Sequence, residues 1–554
     1  MVVFNRSFQM TKSKKSELAL VFLLFAMLFS GVIKAGYTQN AKSEQIYDGK
    51  IGNDRIILID EGPDSTILKG YFVLNRGNAV EDGHTFVINK PGTKPYLQSD
   101  LYVGPIKSAV FSKDSFKGTL VLVNRKRKFF FWKQKAELSF VKRQELVVDP
   151  TERYQKEIFP EVEVKKDLLY GKAKGLWTSS PYSDEPYVEV LRKGMIRTFK
   201  DPTMLDLNMD IYYPKTDLFK SRPLVMLIHG GAFYIGSKAS PAEVSLSTSL
   251  AKRGFLVASI DYRLGFKLIP SDLEMSAYRA IQDAHAALRF LAHNAKGLGI
   301  DPNQVYVGGT SAGAVASLNV AFMRNDERPE RILEAEKEGL VNRIEESGNK
   351  YTESFRIKAV ANLWGAVADP TIIDRDEEIS VLSIHGTADE VVPYDYDHPF
   401  KNSLMFNRLL MDKMYGSKPI HDRLQILGLR NRLISLTGLG HEPELIGSTK
   451  LNQYMDTITY QVTKFFYEET APVVKLPASQ LLVPEDSFLK TIYYEVSNGT
   501  PVKITVSGGV KLNADPTDAT IIWLRKSEKR QLNILTTNKF GAWNEKSFPV
   551  TIAR

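Results

Sequence analysis

The sequence predicts an α/β protein, with a doubly wound, mostly parallel sheet over about residues 166–470. An N-terminal antiparallel β domain (37–165) and a C-terminal Ig-like or PKD-like β-sandwich (471–554) are expected to flank it. Two observations lead to the central sheet. Six short, largely apolar runs each end in a small or polar cluster. Leu224–Ile228 precedes His229-Gly230-Gly231, Phe255–Ile260 precedes Asp261-Tyr262-Arg263, and Val305–Val307 precedes Gly308-Gly309. Ala359–Leu363 precedes Trp364-Gly365, Val381–Ile384 precedes His385-Gly386, and Arg432–Leu436 precedes Gly438. Runs without polar alternation suit strands covered on both faces. The second observation is helical spacing between them. Ser276–Asn294 is apolar at Ala277, Ile281, Ala284 and Leu288, and Asn452–Glu468 at Met455, Ile458, Val462 and Phe465. Strands alternating with helices give a doubly wound sheet, whose ligand site lies beyond the C-terminal strand ends. The polar clusters fall there.

The flanks read differently. From Tyr37 to Pro160, short runs such as Arg55–Ile59, Gly70–Leu74, Thr119–Val123 and Ala136–Val141 alternate with turn residues and show no helical period. After Ala471-Pro472 the β texture returns at Thr491–Val496, Val502–Val506, Thr520–Trp523, Leu532–Leu535 and Pro549–Ile552. Residues 1–36 resemble a secretory signal peptide: Arg6, Lys12, Lys14 and Lys15 precede an apolar run from Leu18 to Ile33, with Ala35 beyond it. That run is shorter than the roughly 20 residues a membrane-spanning helix needs. An uncleaved anchor is the alternative, and Met10 is an alternative start. Either way the bulk of the chain is expected to be exported, to periplasm, cell surface or medium.

Composition excludes some chemistries. The 554 residues include no cysteine, which removes disulfides, thiolate catalysis and thiolate metal sites. The net charge of +9 arises from 73 Lys and Arg against 64 Asp and Glu, a balance that suits a solvated surface better than nucleic-acid binding. The Arg125–Lys128 cluster before Phe129–Trp132 reads as a charged turn entering a strand. No histidine grouping has ligand spacing, so no metal site is expected.

The chemistry centres on Gly309-Thr310-Ser311-Ala312-Gly313, a G-x-S-x-G sequence between an apolar strand and an Ala-rich helix. A serine displayed on a sharp strand-to-helix turn needs small neighbours, and the helix N-terminus favours developing negative charge. A base and an orienting acid should follow in the order acid, then histidine. Asp389 stands 78 residues after Ser311, and His441 a further 52 residues on, each just past its strand. Glu390 and Asp369 are rival acids. The loop His229-Gly230-Gly231-Ala232 follows the first apolar strand, and its backbone N–H groups, with that of Ala312, form a candidate oxyanion hole.

His229–Phe233, Gly236-Ser237, Asp261–Gly265, Asp301-Pro302, Gly309–Gly313, His385–Pro393 and Gly440-His441 together resemble the carboxylesterases and the hormone-sensitive-lipase-like (BD-FAE-like) esterases of the α/β-hydrolase superfamily. The resemblance covers about Leu205 to Phe466. It implies an α/β-hydrolase fold and ester hydrolysis through an acyl-enzyme with Ser311, Asp389 and His441, without cofactor. The substrate implied is a small-molecule or glycan-linked acyl ester. Ala232 replaces the third glycine of the family's H-G-G-G, and Thr310 stands where an acidic residue is common. By the same resemblance, Asp283 and Arg289 are expected to form a structural ion pair. Two other functions stay open: a prolyl-oligopeptidase-type peptidase, or a non-catalytic exported binding protein on this fold. The charged insert Asn325–Ser354 and a helix over Leu404–Met414 are the expected pocket walls.

Overall fold

The computed structural model describes eight strands between residues 45 and 142 by their backbone. It also describes residues 150–553 apart from 180–197, 199–200, 268–269, 375–377, 403–410, 448–449, 485–488, 515–516, 524–526 and 528. The expected signal segment and the Arg125–Trp132 cluster lie outside the described residues. Two compact units divide the chain between Val148 and Asp149. That division precedes the boundary expected at 165, because Val162–Gly175 is a strand of the α/β sheet.

In the first unit, eight antiparallel strands from Gln45–Ile51 to Gln134–Lys142 close into a barrel. The first strand pairs with both the second and the last, setting Gln45 opposite Asp60 and Tyr47 opposite Lys142. Closure leaves no unpaired edge.

The second unit is built on an eight-stranded sheet. Its strands are β1 (Val162–Gly175), β2 (Thr203–Pro214), β3 (Arg222–Ile228), β4 (Leu256–Ile260), β5 (Ile300–Thr310), β6 (Ile357–Leu363), β7 (Ser380–Gly386) and β8 (Asn431–Leu436). They lie in the order β8-β7-β6-β5-β3-β4-β2-β1, parallel from β8 to β4, with β2 and β1 antiparallel at one edge. The order reverses at β3, whose neighbours β4 and β5 both follow it in sequence. A crevice opens at such a switch point.

Both faces of the sheet are covered. Leu224, Met226 and Ile228 of β3 face one core, and Val225 and Leu227 face the other. On the first face lie α2 (Pro270–His293), α3 (Ala312–Phe322), α4 (Glu330–Lys337) and α5 (Ser417–Leu427). On the second lie α1 (Pro241–Lys252) and α6 (Tyr454–Thr470). Pro241 presets φ for the first turn of α1. In α3 every residue but Asn319 is buried, and this all-round apolarity suits a helix enclosed by its neighbours.

Residues 471–553 belong to this same compact unit. Two three-stranded antiparallel sheets there share a core of Ile492, Ile521 and Trp523 from one and Ile504, Leu532 and Ile534 from the other. The strand expected over Thr491–Val496 breaks at Tyr494 into Leu489–Tyr493 and Glu495–Ser497, which pair with different partners. The segment is fastened to the α/β body. Tyr154 donates to the Phe540 carbonyl at 2.9 Å, Asn498 and Asn538 both donate to the Thr470 carbonyl at 2.7 Å, and Phe540 and Ala542 join the core beneath α1 and α6.

Candidate active site

Beyond the carboxyl end of β5 the chain turns through Ser311 into α3. Ser311 has φ 52° and ψ −118°, a left-handed backbone that a non-glycine residue holds only when its surroundings impose it. Its N–H donates to the Leu363 carbonyl at 2.9 Å, and its carbonyl accepts from Val315 at 3.0 Å to begin the helix. The turn presses on the end of β3. A Cβ on Gly313 would lie 1.9 Å from the Ile228 carbonyl oxygen, and one on Gly309 would lie 2.4 Å from it. Only glycine fits at either place.

Asp389 and His441 follow β7 and β8. Ala388 N–H bonds the Leu439 carbonyl at 3.0 Å and Gly438 N–H the Thr387 hydroxyl at 2.9 Å, so the two loops are joined. The structure brings the three residues together. His441 Nε2 lies 2.8 Å from Ser311 Oγ, and His441 Nδ1 lies 2.7 Å from Asp389 Oδ2. With Nδ1 donating to the carboxylate, Nε2 is free to accept the serine proton.

Asp389 is held from every side. Val391 and Val392 donate backbone N–H groups to Oδ1 at 2.8 and 3.0 Å. His385 Nε2 stands 3.2 Å from Oδ2, while its Nδ1 meets the Ser417 hydroxyl at 2.8 Å. Burial alone would raise this carboxyl, but the bonds from His385 and His441 hold it well below the usual carboxylate range. The rival acids do not reach the site: Glu390 is exposed, and exposed Asp369 caps its own turn at Thr371.

The loop after β3 completes the arrangement. A Cβ on Gly230 would stand 3.3 Å from Ser311 Cβ, so this loop abuts the serine. Gly231, Ala232 and Phe233 all have positive φ, at 104°, 52° and 58°. Neither Gly231 nor Ala232 uses its N–H in a hydrogen bond among the described residues. His229 braces the loop from behind. Its Nδ1 bonds the Gly230 carbonyl at 2.7 Å, its ring stacks on Tyr262 at 4.4 Å, and Tyr262 donates to its carbonyl at 2.9 Å. Burial pushes the His229 imidazole down to about 4, so it stays neutral.

A cavity of about 220 Å³ opens from Ser311 between α2, α3 and α4. Ala277, Ile281, Val315, Ala316, Ile332 and Met414 are among its walls. Several of its polar lining groups are engaged within the protein: Asn319 donates to the Val315 carbonyl, Tyr278 donates to the Asn342 carbonyl, and Glu274 faces Arg331 at 3.5 Å, while Asp412 and Lys413 also line it. The insert Asn325–Ser354 thus supplies part of a wall through α4. Of the helix expected over Leu404–Met414, residues 404–410 lie outside the described residues, and Met414–Tyr415 is a short strand.

The expected Asp283–Arg289 pair is not formed. Asp283 pairs with Arg263 at 2.7 Å, and Arg289 donates instead to the Ile344 and Ser347 carbonyls. Sequence reasoning also passed over two acids near the site. Glu243 on α1 accepts the Thr310 hydroxyl at 2.9 Å, and Glu444 lies buried three residues after His441. Neither belongs to a motif, so no sequence signal marks them.

Strand order, switch-point crevice and serine turn together define the class as an α/β-hydrolase. Comparison with known proteins narrows it. Residues 209–383 match the family described as BD-FAE, so this segment is similar to that family. Gut esterase 1 of Caenorhabditis elegans is 34% identical over 112 residues, which are 20% of each chain. A probable isoprenylcysteine alpha-carbonyl methylesterase of Oryza sativa subsp. japonica is 40% identical over 106 residues, 19% of this chain and 23% of that one. The chain therefore spans about a fifth of the length of these relatives. Among solved structures, a propionate-bound esterase of Thermogutta terrifontis aligns with 48% of this chain and 90% of its own, at 19% identity and a TM-score of 0.34.

Proposed function

We propose that the protein is a serine hydrolase that cleaves carboxylic esters through an acyl-enzyme. The observation that carries this is the chain of hydrogen bonds from Ser311 through His441 to an ionised Asp389, opening onto an apolar cavity. In this reading His441 Nε2 takes the Ser311 proton as Oγ attacks the ester carbonyl. The backbone N–H groups of Gly231 and Ala232, on a loop shaped by Gly230, and that of Ala312 at the start of α3 receive the oxyanion, and loss of one such donor costs about 3 kcal/mol of barrier. His441 then protonates the departing alcohol. Water enters, is deprotonated by His441 and releases the acid. Asp389 keeps the proton on Nδ1 and stabilises the imidazolium.

The apolar walls favour an acid or alcohol group of small to medium size without charge, because Ala277, Ile281, Val315, Ala316, Ile332 and Met414 offer it no polar partner. A glycan-linked acyl ester fits if the acyl group enters the cavity and the glycan stays outside. We also propose export through residues 1–36, and an Ig-like nature for residues 471–553. Incubation with a fluorophosphonate probe should label Ser311 in the native protein and not in Ser311→Ala or His441→Ala. Absence of label on folded native protein would sink the assignment and favour the non-catalytic binding function.

A further inference from the structure

On the face of the sheet opposite the substrate cavity, a second space of about 10 Å³ lies behind the serine turn. That is about the volume one water molecule requires. Its polar walls are Glu243 from α1, Thr310 from the turn, Trp364 after β6 and Glu444 from the His441 loop. Glu243, Trp364 and Glu444 are 4%, 0% and 2% exposed. Trp364 Nε1 and Glu444 Oε2 are buried and have no hydrogen-bond partner among the described residues.

We propose that this space binds one water molecule, and that through it Glu444 acts as a positioning residue that keeps the His441 loop in register with the turn of Ser311. The proposal rests on the esterase function proposed above.

The donor arithmetic selects water. An indole N–H can only donate, so the occupant must accept from Trp364, which a metal cation cannot do. Water accepts that bond and offers two of its own, to Glu444 and Glu243. Glu243 is tied in turn to Thr310, the residue before the serine, at 2.9 Å. Glu444 is fixed in its loop by its carbonyl, which accepts from Asn452 N–H at 2.8 Å. The water thus closes a ring from serine turn to α1 to histidine loop.

Two facing acids are compatible with this only if they are not both ionised. Neither forms an ion pair among the described residues, and the charged group acting on both is another acid, Glu442. Burial raises Glu243 to about 7 and Glu444 to about 9, so Glu444 keeps its proton at neutral pH.

The test has two arms on the full chain. A crystal structure of the native protein should show a water within hydrogen-bonding distance of Trp364 Nε1 and Glu444 Oε2. A direct bond between those atoms, or side chains filling the space, would overturn the proposal whatever the activity. In kinetics with p-nitrophenyl butyrate, Glu444→Leu should lower kcat about tenfold with KM nearly unchanged, as expected of a slightly misplaced base. Glu444→Gln, neutral and of the same shape, should restore most of that rate. Trp364→Phe should lower kcat less, and Trp364→Phe/Glu444→Leu should be no slower than Glu444→Leu alone, because both act through one water. Multiplying effects, or a change confined to KM, would refute the coupling. Should Glu444→Leu fail to fold, Glu444→Met, unbranched and unable to hold the water, and its double variant with Trp364→Phe carry the same comparison. Native protein that labels at Ser311 while Glu444→Leu or Glu444→Met keeps the native rate would defeat this inference alone. Native protein that takes no label would defeat the esterase function itself.

Discussion

Asp389 and Glu444 are two buried carboxyl groups near the same histidine, and their surroundings drive them in opposite directions. Asp389 receives two backbone N–H groups and faces two imidazoles, and its ionised form is favoured in spite of burial. Glu444 Oε2 meets no protein donor among the described residues, and burial keeps its proton in place. Desolvation is common to both. The difference lies in the number of donors aimed at the carboxyl, which sets whether burial or hydrogen bonding dominates.

The largest expected effect bears on Asp389. Asp389→Asn keeps the shape but removes the charge and favours the wrong imidazole tautomer, so turnover should fall about ten-thousandfold with folding intact. Near-native turnover would erase the contrast between the two acids. His385→Leu removes one of the groups that favour ionised Asp389, and turnover should fall about tenfold, in keeping with the loss of a bond to a charged acceptor. An unchanged rate would show that the backbone donors suffice.

Glu444 makes a prediction of opposite sign for stability. Its folded value of about 9 lies above the ordinary 4.5, so within that window the folded protein holds a proton that the unfolded chain has released. Native stability should therefore fall as pH rises across the window. Glu444→Gln should cancel this, gaining on the native protein by up to about 1 kcal/mol per pH unit, as read from urea midpoints at the two ends of the window. A parallel pH dependence would mean that Glu444 is ionised in the fold. The smallest effect is expected at Thr310→Val, where loss of one hydroxyl bond to Glu243 should cost about 1 kcal/mol of stability by thermal unfolding.

The readable parts of the site share a local physical cause. Gly309 and Gly313 are demanded by the approach of the turn to the Ile228 carbonyl, and that demand leaves a spaced motif around Ser311. Asp389 and His441 each follow an apolar strand directly, so strand patterning alone places them on one edge. Partner choice was less legible. Arg289 looked like the mate of Asp283 on one helix, but Arg263 enters from the strand-end loop and takes the carboxylate.

By itself the sequence determined the alternation of buried strands and amphipathic helices, the strained serine turn and the order serine, acid, histidine, because periodicity and small-residue demands are local. The tertiary structure alone decided the closure of the N-terminal strands into a barrel, since closure depends on the register between Gln45–Ile51 and Gln134–Lys142, far apart in the chain. It alone decided that residues 471–553 are fastened to the α/β body and that Glu243, Trp364 and Glu444 meet behind the serine. Those outcomes arise from elements distant in sequence converging on one buried point, where a lone acid's proton depends on neighbours that no local pattern names.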